Sequence, residues 1–124
     1  MDIVINQDSI TPIYRQLTNQ ITGEILQNKI KAHEILPSIR AIALDLKISV
    51  ITTKRAYEEL ESMGLIYTVS GVGCFVSEIN QSDVRSLRND LLYEKVKTDI
   101  EHYKSYGMNK EEILEIIGNI LNQS

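Results

Sequence analysis

Residues 36–75 read LPSIRAIALDLKISVITTKRAYEELESMGLIYTVSGVGCF, and this stretch decides the fold. Pro37 and Ser38 mark the entry to a helix, because proline stops the preceding chain and the serine hydroxyl can cap the free N–H groups that follow. The spacing predicts a short helix from Ile39. The apolar residues that recur at helical spacing, and are expected to be buried, are Ile42, Ala43 and Leu46.

A second helix is predicted after a break at Ile48, with Ser49 as its N-cap. Gly64 is expected to end it, because glycine adopts left-handed backbone at little cost. The residues expected on the inner face of this helix are Thr53, Ala56, Tyr57 and Leu60. Those expected on its outer face are Val50, Ile51, Thr52, Lys54 and Arg55.

Two runs rich in β-branched and aromatic residues follow, at 65–69 and 74–76. They are separated by a Gly-x-Gly turn that contains Gly71 and Gly73, which predicts a β-hairpin beside the second helix. The predicted fold is therefore mainly α with a small β-hairpin, a winged helix-turn-helix.

A further helix is predicted before this stretch, with Thr11 as N-cap, Pro12 at its first helical position and an end near Asn28. The residues expected on its buried face are Tyr14, Leu17, Ile21 and Ile25. Ile30, Ile35 and Leu36 are expected to close the small core. Residues 2–5 alternate weakly, which is compatible with either a short edge strand or a loose arm.

After a hinge at 78–81, two amphipathic helices are predicted. Ser82 is expected to cap the first, whose apolar stripe is predicted to comprise Val84, Leu87, Leu91, Val96, Ile100 and Tyr103. Gly107 breaks it, and a capping box at Asn109 and Glu112 opens the second. Two such helices without a core of their own most economically pair with those of another copy. The residues expected at this homodimer interface are Leu87, Leu91, Ile100, Ile113, Ile116, Ile117 and Ile120.

The composition agrees with this organisation. A chain of 124 residues with 43% hydrophobic content forms one or two small units, and we assign residues 1–77 to the winged helix-turn-helix domain and 78–124 to a helical dimerisation segment. No apolar run approaches the roughly 20 residues that span a bilayer, and no signal peptide pattern is present, so a soluble cytoplasmic protein is expected. The single cysteine, Cys74, has no metal-ligand pattern around it, and no cofactor is predicted.

Charge is distributed unevenly along the chain. The net charge is −4, but residues 29–55 contain six basic and two acidic residues, whereas the part after Val76 contains six basic and nine acidic ones. The local field at a contact surface, rather than the net charge, determines nucleic-acid binding. The sequence therefore favours DNA contact by the helix-turn-helix.

The runs LPSIRAIALDLKIS, TTKRAYEELESMGLI and SGVGCFV, with PIYRQL at 12–17, resemble the DNA-binding domain of the GntR family of bacterial transcription regulators. The resemblance covers about residues 10–77, and the short tail resembles the YtrA-like subfamily, whose members carry two helices there. It implies a homodimeric repressor that binds double-stranded DNA at an inverted-repeat operator, near its own promoter and a transporter operon. It also implies that Ser38, Arg40, Thr52, Lys54 and Gly73 meet DNA.

The chain departs from the family pattern at four positions. Members commonly have glycine in place of Asn28 or His33, threonine in place of Cys74, and a polar residue, arginine or proline in place of Val50. Asparagine also accepts left-handed backbone, and a longer turn need not contain glycine. Val50 and Ile51 can only pack on apolar groups, which in the major groove means the thymine methyl, whereas Arg40 is the candidate for guanine. Alternatively, Val50 packs at the helix start and the wing reads DNA shape.

The complete set of predicted DNA-binding residues is Ser38, Arg40, Ser49, Val50, Ile51, Thr52, Lys54, Arg55, Gly71 and Gly73. No catalytic motif is present, so an enzyme is not expected. The alternative function is a winged-helix protein-interaction module that does not bind DNA, which retention on heparin with steep salt dependence would distinguish. No small-molecule effector is identified; one would have to bind at the dimer interface or the hinge.

Overall fold

A computed structural model describes all 124 residues. The chain forms five helices and one antiparallel hairpin, in the order α1 (Ile13–Leu26), α2 (Ile39–Leu46), α3 (Val50–Ser62), β1 (Ile66–Val69), β2 (Gly73–Val76), α4 (Gln81–Ser105) and α5 (Lys110–Asn122). This confirms the predicted fold class, mainly α with a small β-hairpin. The chain divides into two compact units, Met1–Gln81 and Ser82–Ser124.

The core of the first unit forms where α1 and α2 pack on α3 and β1 follows from its end. The predicted inner face of α3 is confirmed, because all four of its residues are buried. Leu36 and Ile30 also close the core as expected. The most completely buried hydrophobic residues are Leu17, Ile21, Ala56, Leu60, Leu65 and Val76.

Serine side chains start both helices of the helix-turn-helix, as predicted. The Ser38 hydroxyl accepts a hydrogen bond from the Ala41 N–H at 3.1 Å, and Ser49 accepts one from the Thr52 N–H at 3.0 Å. The predicted cap of α1 is wrong: Pro12 is the N-cap residue, without a side-chain hydrogen bond. A proline ring fixes the entry geometry by itself, which leaves Thr11 outside the helix.

The hairpin pairs Ile66 with Val76 and Val69 with Gly73. Residues 33–36, which lie in the predicted connecting loop, hydrogen-bond to the free edge of β2: the His33 N–H donates to the Val76 carbonyl at 2.7 Å, and the Leu36 N–H donates to the Cys74 carbonyl at 2.8 Å. In an extended segment successive side chains point to opposite faces. Leu36 is therefore buried while Ile35 is 55% exposed, so the expectation that Ile35 closes the core is wrong.

Three residues other than glycine adopt left-handed backbone: Asn28, His33 and Lys47, with φ of 60°, 66° and 57°. The turn at His33 has thus kept the left-handed geometry without glycine. The His33 ring lies 2.9 Å from the Tyr67 hydroxyl, which links this turn to β1. Lys47 is the C-cap of α2 and makes the turn of the helix-turn-helix.

Residues 4–6 are held against α1 by two glutamine side chains one turn apart. The Gln20 amide accepts a hydrogen bond from the Val4 N–H at 2.9 Å and donates one to the Val4 carbonyl at 2.7 Å. The Gln16 amide makes the same pair of bonds to Asn6, at 2.8 and 2.9 Å. Each glutamine amide thus makes the pair of bonds that one residue of a neighbouring strand would make. The segment is therefore held in place without being part of a sheet, so it is neither a strand nor a loose arm.

In the second unit, α5 begins with the predicted capping box, in which Asn109 and Glu112 bond each other's backbone N–H groups. Ser82 is not an N-cap, because α4 already begins at Gln81. No helix of the chain has the length and apolar character needed to cross a membrane.

The apolar residues of α4 do not form the single stripe that was predicted. Val84, Leu87 and Leu91 share one face, but Tyr93 begins a second series nine residues after Val84. Nine residues are about two and a half turns, so the second series lies on the opposite side of the helix. Its members are Tyr93, Val96, Ile100 and Tyr103. No residue of α4 is buried, and in α5 only Ile113 is.

Candidate nucleic-acid interface

The N-terminal part of α3 presents an exposed face that the core does not use. Ile51 is 81% exposed and Val50 is 42% exposed, although both are apolar. Lys54 and Arg55 are exposed one turn later, and Thr52 is half-buried. An isoleucine that is so exposed at a helix start buries little surface in the core, so this face is suited to contact with another molecule.

Three hydroxyl groups near the helix starts have different hydrogen-bonding states. The Ser49 hydroxyl caps α3 and also donates to the Thr52 hydroxyl at 2.7 Å, so its hydrogen is already used. The Ser38 hydroxyl accepts from the backbone but donates to no group of the chain. Ser38 and Thr52 can therefore donate to a phosphate or base, whereas Ser49 holds the helix start in place.

A shallow groove runs between α2 and α3. Its lining residues are Arg40, Ala43, Leu44, Lys47, Ile48 and Val50. The structure thus brings two of the predicted DNA-binding residues, Arg40 and Val50, to one surface. Neither Arg40 nor Lys47 pairs with a carboxylate, and Lys54 only approaches Glu58, at 3.9 Å. These positive charges remain available to an anionic partner.

The other two predicted residues lie in the wing. Gly71 has φ of 76° and Gly73 has φ of 151°, both in the region that favours glycine. A Cβ atom on Gly73 would lie 3.2 Å from the Ile35 Cδ1 atom, whereas one on Gly71 would meet nothing within 4 Å. The backbone angle therefore favours glycine at position 73, where a Cβ atom would also press on the end of the Ile35 side chain, while Gly71 serves the turn and leaves its backbone exposed.

Tyr57 is a buried residue of α3 that stabilises the arrangement of α2 and α3 behind this surface. Its hydroxyl donates to the Pro37 carbonyl at 2.6 Å, which fixes the entry of α2 against α3. Burial raises the pKa of the Tyr57 hydroxyl, so it remains a hydrogen-bond donor well into the alkaline range. As expected, Tyr57 is a core residue.

Three residues of this surface were not in the predicted site. Leu44 is 82% exposed beside the groove, and Lys47 lines it. Leu44 does not share the helical spacing of the buried residues of α2, and this spacing alone could have predicted that Leu44 is exposed. Tyr14 was assigned to the core, but it is only half-buried and its ring lies under Arg55. No local sequence signal indicates that contact.

No group of three or more His, Cys, Asp or Glu side chains lies close enough together to hold a metal ion.

Comparisons with known proteins identify the family to which this fold and this surface belong. Residues 13–76 match the family model described as bacterial regulatory proteins, gntR family. The chain is 31% identical to the HTH-type transcriptional repressor YtrA of Bacillus subtilis over 118 residues, which cover 95% of this chain and 91% of YtrA. A GntR family transcriptional regulator from Listeria monocytogenes superimposes with a TM-score of 0.78 at 33% identity, covering 90% of this chain and 97% of that one.

The DNA-binding domain of AraR in complex with operator ORX1 is also similar, with a TM-score of 0.56 at 28% identity, covering 62% of this chain and 96% of the domain. A winged helix-turn-helix with these relatives defines a DNA-binding transcription regulator and not an enzyme. The chain belongs to the gntR family of bacterial regulators, in which its similarity to YtrA over nearly its full length indicates the YtrA-like subfamily.

Proposed function

We propose that the protein is a homodimeric repressor that acts in the cytoplasm and binds an inverted-repeat operator, with one α3 helix in the major groove of each half-site. The observation that supports this most is the exposed start of α3, where the apolar Val50 and Ile51 are accompanied by Lys54 and Arg55. A two-fold dimer requires half-sites about one helical turn apart, roughly 34–36 Å.

The placement of the cations supports phosphate binding. Arg40 and Lys47 line the groove beside α3, and Lys54 and Arg55 lie on α3 itself. If a dimer neutralises about 4–8 phosphates with these residues, the logarithm of the binding constant falls with the logarithm of salt concentration with a slope of roughly −4 to −7.

Binding of the full chain to a random DNA duplex, titrated with salt, tests the proposal without knowledge of the operator. Arg40→Gln and Lys47→Gln should each make the slope shallower by about 2 per dimer. Lys29→Gln is the control, because Lys29 is exposed, does not line the groove and lies on neither α2 nor α3, and it should leave the slope unchanged. A wild-type slope near zero would instead favour the protein-interaction module.

We assign dimerisation to the second unit. Three residues of the second apolar series of α4 line a shallow groove of about 300 Å³, whose full lining is Tyr93, Val96, Lys97, Ile100, Glu101 and Lys104. Helix α5 carries exposed apolar residues, including Ile116, Ile120 and Leu121, and its charged residues are three acidic and one basic. The groove carries two lysines and one glutamate, so α5 of a second copy fits it in both apolar character and net charge. A two-fold arrangement satisfies both copies at once.

The regulated genes are proposed from the family resemblance alone: a site at the protein's own promoter and a nearby transporter operon. Genomic footprinting should recover inverted repeats at such promoters. Recovery of single asymmetric sites only would contradict the two-fold dimer on DNA.

A further inference from the structure

The surface of α3 that faces α1 contains an arginine stacked on a tyrosine. The Arg55 guanidinium carbon lies 3.6 Å from the centroid of the Tyr14 ring, well within the range of a cation–π contact. Arg55 is exposed, whereas Tyr14 is half-buried in the first turn of α1. The two residues are 41 positions apart, so the packing of α1 on α3 brings them together.

A neighbouring arginine at the same ring behaves differently. Arg15 forms an ion pair with Glu59 and donates to the Tyr14 hydroxyl at 3.3 Å. The hydrogen bond with Glu59, and then that with Tyr14, raises the pKa of Arg15. The charge of Arg15 is thus neutralised within the fold. Arg55 pairs with no carboxylate. The Tyr14 ring therefore contacts two arginines, of which Arg15 is neutralised by an ion pair and Arg55 is not.

Stacking leaves the Arg55 hydrogen-bond donors free. A guanidinium group contacts an aromatic ring through its flat face, whereas its N–H groups point outward in its own plane. None of the Arg55 guanidinium N–H groups has an acceptor in the chain. The ring therefore fixes the position of the group without using the donors that bind a phosphate in a bidentate manner.

The position of Arg55 on α3 suits a contact with the DNA backbone. At about 100° per residue, Lys54 and Arg55 lie on either side of the line that joins Ile51 and Glu58 on the outer face. With Ile51 at the floor of the major groove, Lys54 and Arg55 would face its opposite walls. Lys54 approaches Glu58, so Arg55 is the cation of α3 that is both unpaired and fixed in place.

We propose that Tyr14 is a positioning residue for DNA binding, whose ring holds Arg55 so that the edge of the guanidinium binds a backbone phosphate. The inference rests on the proposed DNA-binding function and adds α1 to the machinery that performs it. Tyr14 itself contacts Arg55 and not the DNA. The hydroxyl of Tyr14 is not required, because only the ring face contacts Arg55.

The test measures binding of the full chain to a random duplex across a salt series. Tyr14→Phe should bind within about twofold of wild type, whereas Tyr14→Leu should lose about 3- to 10-fold in affinity. Arg55→Ala should lose at least as much and reduce the salt slope by about 2 per dimer. The double variant Tyr14→Leu/Arg55→Ala should bind like Arg55→Ala alone, because a positioning residue has no effect once its target is removed.

Thermal unfolding of each variant identifies any loss of folding. If Tyr14→Leu does not fold, Arg55→Lys decides: it keeps the charge but lacks the planar group, and it should lose several-fold in affinity with the salt slope nearly unchanged. Additive losses in the double variant, equal losses for Tyr14→Phe and Tyr14→Leu, or wild-type binding by Arg55→Lys would overturn the positioning role. A steep wild-type slope in those cases would leave the proposed DNA-binding function intact, whereas a flat one would overturn both.

Discussion

At the scale of single residues, Lys47 shows how the helix-turn-helix accepts local strain. Its φ of 57° places a side chain where the Cβ atom crowds the following carbonyl oxygen, which costs about 1–2 kcal/mol for a residue other than glycine. The Lys47 side chain is exposed and makes no hydrogen bond or ion pair that could offset this cost. The turn is therefore less stable than the same turn built with glycine.

We expect Lys47→Gly to raise the free energy of unfolding by about 0.5–1 kcal/mol, because relief of the left-handed strain exceeds the greater flexibility of glycine in the unfolded chain. Lys47→Ala is the matched control, since it removes the same side chain but retains the Cβ atom, and it should leave stability nearly unchanged. Urea denaturation of the three proteins checks this. Equal stability of the two variants would show that the turn is not strained.

Tyr57 gives a second prediction at this scale, concerning pH. Burial raises its pKa above the ordinary value of 10.0, so the folded state holds the proton more tightly than the unfolded chain does. The contribution to stability is complete below about pH 10 and falls as the pH rises further, because the unfolded chain then releases the proton. Tyr57→Phe should cost about 1 kcal/mol at neutral pH, through loss of the bond to Pro37, and should make the alkaline decline shallower.

Tyr106→Phe is the control for this experiment, because it removes the hydroxyl group of a tyrosine that is 76% exposed rather than buried. Thermal unfolding between pH 8 and 11 measures both effects. An alkaline decline that is identical in wild type and Tyr57→Phe would contradict the assignment.

At the scale of elements, α2, α3, the hairpin and α5 were predictable because each carries its own start or stop signal. Ser38, Ser49 and Asn109 act on N–H groups three residues away, and Gly64 supplies left-handed backbone locally. The pairing of residues 33–36 with β2 and the stacking of Arg55 on Tyr14 were not predictable, because they depend on contacts between residues distant in sequence. The two opposite faces of α4 could have been predicted from the residue numbers alone. The apolar series on each face is too short to form one stripe along the whole helix.

The start of α3 leads to a prediction about base recognition. Val50 and Ile51 can contribute only apolar contact, and the thymine methyl group is the apolar group that the major groove displays. Arg40, in the groove beside Val50, can bind the O6 and N7 atoms of guanine. In operators selected from random DNA, Arg40→Ala should relax one G·C position by about 1–3 kcal/mol, and Val50→Ala should reduce the preference for thymine with little change in salt dependence.

Wild type and Lys29→Gln serve as controls, because Lys29 is exposed and does not line the groove between α2 and α3, so its substitution should preserve the selected sequence. Identical selected operators for wild type, Arg40→Ala and Val50→Ala would indicate that the wing or DNA shape supplies the preference instead.

At the scale of the whole molecule, the second unit leaves many large apolar side chains in water. Ile116, Ile120 and Leu121 of α5 are each about half-exposed or more, as are Leu92, Tyr93 and Val96 of α4. Soluble monomers rarely expose such a concentration of apolar residues on two successive helices. Covering them in a dimer would also provide the two-fold axis that an inverted-repeat operator requires.

Ile120→Asp should convert the protein to monomers, because it would place an unpaired charge in an apolar interface at a cost of several kcal/mol. Ile120 is 57% exposed in a single copy, so the fold of that copy should survive. Asn119→Asp adds the same charge to the neighbouring exposed position, away from the apolar stripe, and should remain dimeric. Sedimentation at micromolar concentration distinguishes these states, and a monomeric wild type would refute the assignment.

The two glutamines of α1 make the hydrogen bonding of the backbone N–H groups alternate along residues 3–6. The amide hydrogens of Val4 and Asn6 are bonded to side chains, whereas those of Ile3 and Ile5 have no acceptor, so hydrogen exchange should be slow and fast in turn along the segment. Replacing Gln20 with glutamic acid keeps the shape but makes attachment depend on protonation. A neutral carboxyl group can both accept and donate at Val4, whereas a carboxylate can only accept, so this end of the chain would loosen above a pH of about 4.3.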